Sequence, residues 1–173
     1  GTLNVASPGV GTSAHLIIAL FKTSTGVDLT HVPFKGSVGA MQALTTGEIQ
    51  VAFDTVTTLM PQARAGKVKV LAITSKQRSP LAPEVAPLDE SGVPGFDVAT
   101  WFALFVPAGT AQPVVDKLNE DTVRILRARE TGDRLNGLGM NVVGSSSAEL
   151  AAHVASEIAR WGKLVRESNI RIE

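Results

Sequence analysis

Short runs typical of β-strands alternate with helical stretches through the first hundred or so residues of the chain. The strand-like runs are almost entirely apolar, and the segments between them carry apolar residues every three or four positions. Strands without a polar face are typical of parallel sheets that helices cover on both sides. The sequence therefore predicts an α/β fold with strands at residues 3–6, 28–33, 49–53 and 68–74 and helices at 12–23, from 36 onward and at 57–65.

The last third of the chain is predicted to be mostly helical. One helix is expected at residues 112–129, with Pro113 in its first turn. Another is expected to begin at Ser146, where Glu149 completes a capping box. Between these parts, four prolines in residues 79–95 favour turns, and the apolar run 101–106 predicts a buried strand. The final helix is expected to present an apolar face made of Leu150, Val154, Ile158, Trp161 and Val165.

Composition excludes several classes of function. Of the 173 residues, 44% are hydrophobic, which is enough for a core. Lys and Arg number 16, as do Asp and Glu, so the basic excess of a nucleic-acid-binding protein is missing. The absence of cysteine excludes disulfides and thiolate catalysis, and is compatible with the cytoplasm or the periplasm. Because neither an initiator Met nor a leader is visible, we expect a processed or truncated chain.

A glycine-rich loop between the first strand and the first helix carries most of the candidate chemistry. It runs from Ser7 to Ser13 and contains Gly11 and Thr12. Glycine allows a sharp turn, and the free amides at the helix start favour an anion such as a carboxylate. A turn capped by its own hydroxyls explains the pattern about equally well. The loop lacks the Lys of a phosphate-binding P-loop and the third Gly of a dinucleotide fingerprint.

Two further loops repeat this arrangement at the ends of the next strands. Phe34, Lys35 and Gly36 follow the second strand, and Asp54 and Thr55 follow the third. The carboxyl ends of parallel strands are where α/β sheets bind ligands. Lys35 is either an anion partner or a solvated side chain, and the latter is the more common case. Asp54 is either a ligand-binding residue or the cap of the following helix.

The three histidines do not form a metal site. His15, His31 and His153 are too scattered for ligand spacing. His15 lies in the first turn of a predicted helix, where it is able to orient the loop, although a packing or surface role is favoured for all three. A triad of Ser13, His15 and Asp54 is disfavoured, because two residues two apart on a helix do not face each other and no nucleophile elbow is present. No cofactor is predicted.

A set of motifs resembles one known family over nearly the whole chain. They are NVASPGVGTSAHL at 4–16, HVPFKGS at 31–37, VAFD at 51–54, AGKV at 65–68, LAITS at 71–75, RSP at 78–80, GVPGF at 92–96, WF at 101–102 and VPAGT at 106–110. In this order they resemble the Bug family, the extracytoplasmic solute receptors of tripartite tricarboxylate transporters.

The resemblance implies a periplasmic binding protein of type II, with two α/β lobes and a carboxylate between them. Residues 1–98 would form one complete parallel-sheet lobe, and 99–173 a hinge strand and the C-terminal helices of an incomplete first lobe. The implied partners are a small carboxylate and the membrane subunits of the transporter, and the implied location is the periplasm. By position, the ligand contacts would fall on the loops at 11–13, 34–36 and 54–55, with Trp101 where the chain crosses between lobes.

The resemblance also implies a long N-terminal segment that builds most of the first lobe, and we expect this segment to be missing here. The C-terminal helices would then expose apolar faces, so we expect self-association or exchange of elements between copies. Two other functions stay open at this point. One is a small α/β hydrolase or phosphate-handling enzyme that uses the Gly/Ser loop, and the other is a solute sensor for signalling. The sequence does not identify the carboxylate.

Overall fold

The computed structural model describes residues 3–167 and shows an α/β fold with a parallel sheet. The predicted fold class is therefore confirmed. The outer residues of the two predicted lobes, 1–2 and 168–173, lie outside the described part. The elements are β1 (Leu3–Ser7), α1 (Ser13–Thr25), β2 (Leu29–Pro33), α2 (Ser37–Thr45), β3 (Val51–Ala52), α3 (Val56–Arg64), α4 (Gln112–Arg127), α5 (Arg129–Gly137) and α6 (Ser147–Glu167).

The central strand of the sheet is β1, which pairs in parallel with β2 on one side and β3 on the other. Its residues Val5 and Ala6 are fully buried. Because neighbouring residues of a strand point to opposite faces, they enter two different clusters. Burial of each larger aliphatic side chain contributes about 1.5–3 kcal/mol. The clusters are Val5 with Ile18 and Leu29, and Ala6 with Ala40, Ala43 and Ile49.

Local capping chemistry sets the ends of α1 and α6 as the sequence predicts. Thr12 accepts a hydrogen bond from the backbone N–H of His15 at the start of α1, and Gly26 ends the helix with φ of 70°. At the start of α6, the backbone N–H of Ser146 donates to Glu149 at 2.8 Å, and the Glu149 N–H donates to the Ser146 hydroxyl at 3.2 Å. The predicted capping box is confirmed.

The predicted strand at residues 68–74 is wrong. Only Ile73 forms a bridge there, to Pro87, supported by its N–H donating to the Ala86 carbonyl at 3.0 Å. β3 is also shorter than predicted, with two residues instead of five. β-branched residues favour an extended backbone, but a strand needs a hydrogen-bonded neighbour along its length. Among residues 3–167, segment 68–72 has no such neighbour.

The apolar run 101–106 is not the buried strand that its composition predicts. It forms no ladder with any described residue, and its side chains are exposed except for the half-buried Ala103. The exposed fractions are 80% for Phe102, 75% for Leu104 and 69% for Phe105. Apolar composition indicates that a segment is stable when buried, but burial requires another segment that packs against it in the folded protein. No described segment does so.

The C-terminal part is helical, but its division differs from the prediction. The predicted helix at 112–129 ends at Arg127, because Ala128 is extended and α5 then begins. α6 lies against α1, with Trp161 packed on a cluster that contains Ile17, Phe96 and Val98. Leu164 is buried, whereas Ile158 of the predicted apolar face is exposed. No helix within residues 3–167 has the length and apolar character required to cross a bilayer.

Candidate ligand-binding site

The loops that follow β1, β2 and β3 meet at one edge of the sheet. Because the strands are parallel, their carboxyl ends point the same way. Backbone hydrogen bonds fix the loops to one another at this edge. The donor–acceptor pairs are Phe34 N–H to Ser7 O (3.0 Å), Gly36 N–H to Pro8 O (2.8 Å) and Phe53 N–H to Ala6 O (3.1 Å).

The first loop delivers the chain into α1 with two backbone amides open. Thr12 donates its hydroxyl to the Gly9 carbonyl at 2.8 Å and caps the His15 amide. Among the described residues, the amides of Ser13 and Ala14 have no acceptor. Such amides carry the positive end of the helix dipole and favour an anion. Thr12, Ser13 and Ala14 all line the same cavity.

Gly11 has the backbone conformation that this loop requires. Its φ of 76° lies in the left-handed region, where a β-carbon is unfavourable. Its N–H points to the ring of His15 and donates to Nδ1 at 3.1 Å. Gly11 therefore shapes the loop, while its own amide is already occupied. Gly11 itself does not line the cavity that Thr12 and Ser13 share.

Ser7 lies at the end of β1 and does not line the cavity. It is fully buried, and its Oγ lies 2.7 Å from Nε2 of His31 and accepts from the Gly9 N–H at 3.2 Å. The sequence places Ser7 among the ligand-binding residues. In the structure its hydroxyl contacts the base of the loop instead.

His31 and His15 form a stacked pair under the loop, which the sequence did not predict. Their ring centroids lie 4.2 Å apart with planes 16° from parallel. Burial lowers the pKa of His31 to about 4, and positive charge on His15 and Lys22 acts in the same direction. Burial also lowers the pKa of His15. The pair is therefore neutral at physiological pH. In the sequence, this histidine pair is indicated only by the alternation of side chains along β2 and by the helical position of His15 in α1.

The second loop contributes its backbone more than its side chains. Phe34 packs toward the cluster around Ala6, and the Lys35 side chain is exposed. Gly36 begins α2 with φ of 104°, another conformation that favours glycine. Ser37, the first residue of α2, lines the cavity, whereas residues 34–36 do not.

The third loop places the carboxylate of Asp54 on the cavity that the first loop also lines. Asp54 accepts the Thr55 N–H at Oδ1 (2.7 Å), while its Oδ2 is buried without a partner in the described chain. A buried carboxylate oxygen normally has a donor, so this atom has capacity for one. Thr55 is the N-cap of α3, since its hydroxyl accepts the Thr58 N–H at 3.4 Å. The cap of this helix is therefore Thr55 and not Asp54.

Trp101 is held against α6. Its indole N–H donates to Oε2 of Glu157 at 3.2 Å, and its ring contacts His153 edge-on at 5.0 Å. Glu157 also accepts the indole N–H of Trp161 at 2.8 Å. Trp101 lines the cavity that the loops of the sheet edge line.

The cavity is larger than a small ligand requires. Its volume is about 2510 Å³, whereas pockets for small molecules occupy about 300–1,000 Å³. Polar residues of the sheet edge line one part of it, and the exposed apolar segment 101–106 lines another. The three loops therefore adjoin an apolar surface that no residue within 3–167 covers. Within residues 3–167 there is no cluster of His, Asp and Glu suited to hold a metal ion.

Comparison with known proteins identifies the family. Residues 1–170 match the tripartite tricarboxylate transporter family receptor. A protein encoded in the tcbD–tcbE intergenic region of Pseudomonas sp. strain P51 is 39% identical over 168 residues, which are 96% of this chain and 50% of that protein. BugT of Bordetella pertussis is 29% identical over all of this chain and 53% of its own length. The chain belongs to this receptor family, as its motifs indicate, and spans about half the length of these relatives.

Solved structures agree with this assignment. Rpa4515 of R. palustris, solved with adipate, superimposes with a TM-score of 0.83 at 33% identity, over 97% of this chain and 56% of that one. MatC of Rhodopseudomonas palustris, solved with bound malate, gives a TM-score of 0.75 at 39% identity, over 94% and 56%. The periplasmic binding protein BugD gives 0.76 at 31% identity, over 99% and 58%. The chain therefore has the fold of the matched part of a periplasmic binding protein, slightly more than half of its length.

Proposed function

We propose that this chain is part of a periplasmic receptor that captures small carboxylates and delivers them to the membrane subunits of a tripartite transporter. The observation that carries the proposal is the pair of open amides, Ser13 and Ala14, at the start of α1. They lie beside the Thr12 cap on a wide cavity. The adipate and malate found in two structural neighbours support a carboxylate as the ligand.

In this proposal residues 1–98 supply one side of the cleft, and 99–173 belong to the other lobe. Backbone amides of α1 bind a ligand carboxylate, and Gly11 and Gly36 shape the loops. The buried Oδ2 of Asp54 accepts a hydrogen bond from a ligand hydroxyl or from a water that bridges to the ligand. Lys35 contributes positive charge at the rim, and Phe34 and Ser7 support the loops from within.

Equilibrium binding to the native protein that carries this sequence tests the proposal. Adipate and malate are compared with their uncharged diamides, which keep the length but not the carboxylates. We expect binding of a carboxylate and none of the diamides. Asp54→Ala should weaken binding by about tenfold, which corresponds to about 1.4 kcal/mol, and Glu84→Ala, at an exposed position that does not line the cavity, should not. Equal binding of acids and diamides, or no effect of Asp54→Ala, would contradict the assignment.

A further inference from the structure

The loop at residues 7–12 is held at both ends by the two stacked histidines. At its start, the Ser7 hydroxyl lies 2.7 Å from Nε2 of His31. Near its end, the Gly11 N–H donates to Nδ1 of His15 at 3.1 Å. The rings stack with centroids 4.2 Å apart, so the two contacts are mechanically linked. The pair thus connects β2 and α1 to the loop that precedes the open amides.

We propose that His15 and His31 are positioning residues, whose neutral, stacked rings hold this loop in the shape that presents the α1 amides to a carboxylate. This inference rests on the proposed function of the site. The residue that His15 contacts is close in sequence to the open amides, because Gly11 is followed by the cap Thr12 and then by Ser13. A displacement of Gly11 therefore moves the open amides directly.

The chemistry of the Gly11 contact makes the loop sensitive to acid. Nδ1 of His15 accepts a hydrogen bond only while it is unprotonated. Protonation replaces this acceptor with a second donor that faces the Gly11 N–H, and it places a cation 4.2 Å from the neighbouring ring. The charged groups that act on His31 within the described chain are His15 and Lys22, both on α1 and both positive when protonated. Protonation of either ring in acid therefore destabilises the stack.

A pair that only filled space would behave differently. Apolar side chains of similar volume would replace it, and ligand affinity would then depend on pH only through the ligand. The polar atoms of both rings instead contact the loop, one at Ser7 and one at Gly11. These contacts predict that affinity falls as pH decreases through the titration of the pair.

The test measures dissociation constants for adipate and malate with the native protein between about pH 4 and pH 8, a range that extends down to the lowered pKa of His31. His15→Leu removes the acceptor, while His15→Asn keeps an acceptor near the position of Nδ1. Ser24→Ala, on an exposed position of the same helix, is the control. Titration of the ligand affects every variant equally, so ratios between variants isolate the histidine.

We expect His15→Leu to weaken binding about tenfold at pH 8, which corresponds to about 1.4 kcal/mol, with a ratio to the control that shrinks toward pH 4. His15→Asn should recover most of the affinity and remain flat with pH. A constant ratio across the range, or affinity that rises in acid relative to His15→Asn, would overturn the inference.

A second measurement decides the inference even if the wild type binds no carboxylate, a result that would contradict the proposed function alone. The amide resonance of Gly11 is followed by NMR in the ligand-free protein from about pH 8 to pH 4. We expect it to titrate together with the His15 ring and to become insensitive to pH in His15→Asn. If Gly11 does not follow the ring, the positioning role is wrong.

Discussion

Trp101 donates its indole N–H to Oε2 of Glu157, 56 residues further along the chain, at 3.2 Å. The same oxygen accepts the indole of Trp161, and Arg160 pairs with the other carboxylate oxygen at 3.3 Å. Glu157 is 8% exposed, so its charge is buried, whereas its partners Trp101 and Arg160 remain 39% and 49% exposed. This contact fixes the start of the apolar segment 101–106 to α6, and it places Trp101 on the cavity.

Replacement of Glu157 tests how strongly this contact holds α6. Glu157→Ala leaves two indole donors without an acceptor, and each such loss costs about 1–3 kcal/mol. We expect a decrease in the free energy of unfolding of about 2–4 kcal/mol, less than two full losses because Trp101 is partly exposed to water, measured by urea denaturation. Glu157→Gln keeps an acceptor oxygen and should lose clearly less. Equal losses in the two variants would show that the charge, and not the hydrogen bonds, stabilises this part.

Substitution of two helix caps separates stability from ligand binding. Thr12→Val removes the cap of α1, and Ser146→Ala removes the cap of α6. Each should lower the free energy of unfolding by about 1 kcal/mol. Only Thr12→Val should also weaken carboxylate binding in the native protein, because Thr12 lines the site and Ser146 does not. A similar loss of affinity in both would indicate a general effect of stability.

Stability should fall as pH decreases from about 6.5 to about 4. In the unfolded chain His31 binds a proton below about pH 6.5, whereas burial in the folded protein lowers its pKa to about 4. The unfolded state therefore binds more protons in this window, and the free energy of unfolding rises with pH across it. The pKa of His15 is lowered by burial in the same direction.

Urea unfolding at several pH values measures this slope. The lowered pKa values of Asp121 and Glu149 add stability that is lost only below their ordinary values of 3.8 and 4.5. The interval above pH 4.5 therefore isolates the imidazoles. His31→Gln should flatten the curve there. An unchanged slope in that variant would show that other groups cause the pH dependence.

The exposed apolar segment 101–106 should drive association of the chain studied alone. Phe102, Leu104 and Phe105 each expose more than two thirds of their surface, as their values of 80%, 75% and 69% show. Exposed apolar patches of this kind favour self-association. We expect light scattering to show a mass above that of the monomer that rises with concentration. The triple change of these residues to Ser should reduce it, and Val38→Ser, at an exposed site on α2, should not.

Elements with local signals could be predicted from the sequence, and those that depend on distant partners could not. Thr12 and Gly26 define the ends of α1 because the cap and the left-handed C-terminal residue act on neighbouring atoms. Segments 68–74 and 101–106 have the composition of strands but not the pairing partners. Pairing depends on which segment lies beside a strand in the folded protein, and composition does not contain this information.

The candidate site shows the same division. The three loops were predictable, because each follows an apolar strand and carries Gly, Ser, Thr or Asp. The orientation of Ser7 was not, because it depends on His31, 24 residues away. The stacked pair arises only when β1 aligns Val5 with His31 and α1 crosses above them. No local pattern in the sequence predicts that these two histidines stack.

The most direct test of the central claim follows the backbone amides of Ser13 and Ala14 by NMR while adipate or malate is added to the native protein. Amides that begin to donate to a carboxylate shift their proton resonances downfield. The account predicts the largest downfield shifts at these two amides, with little change at Ala148 in the first turn of α6. Saturable binding that leaves Ser13 and Ala14 unshifted would contradict it.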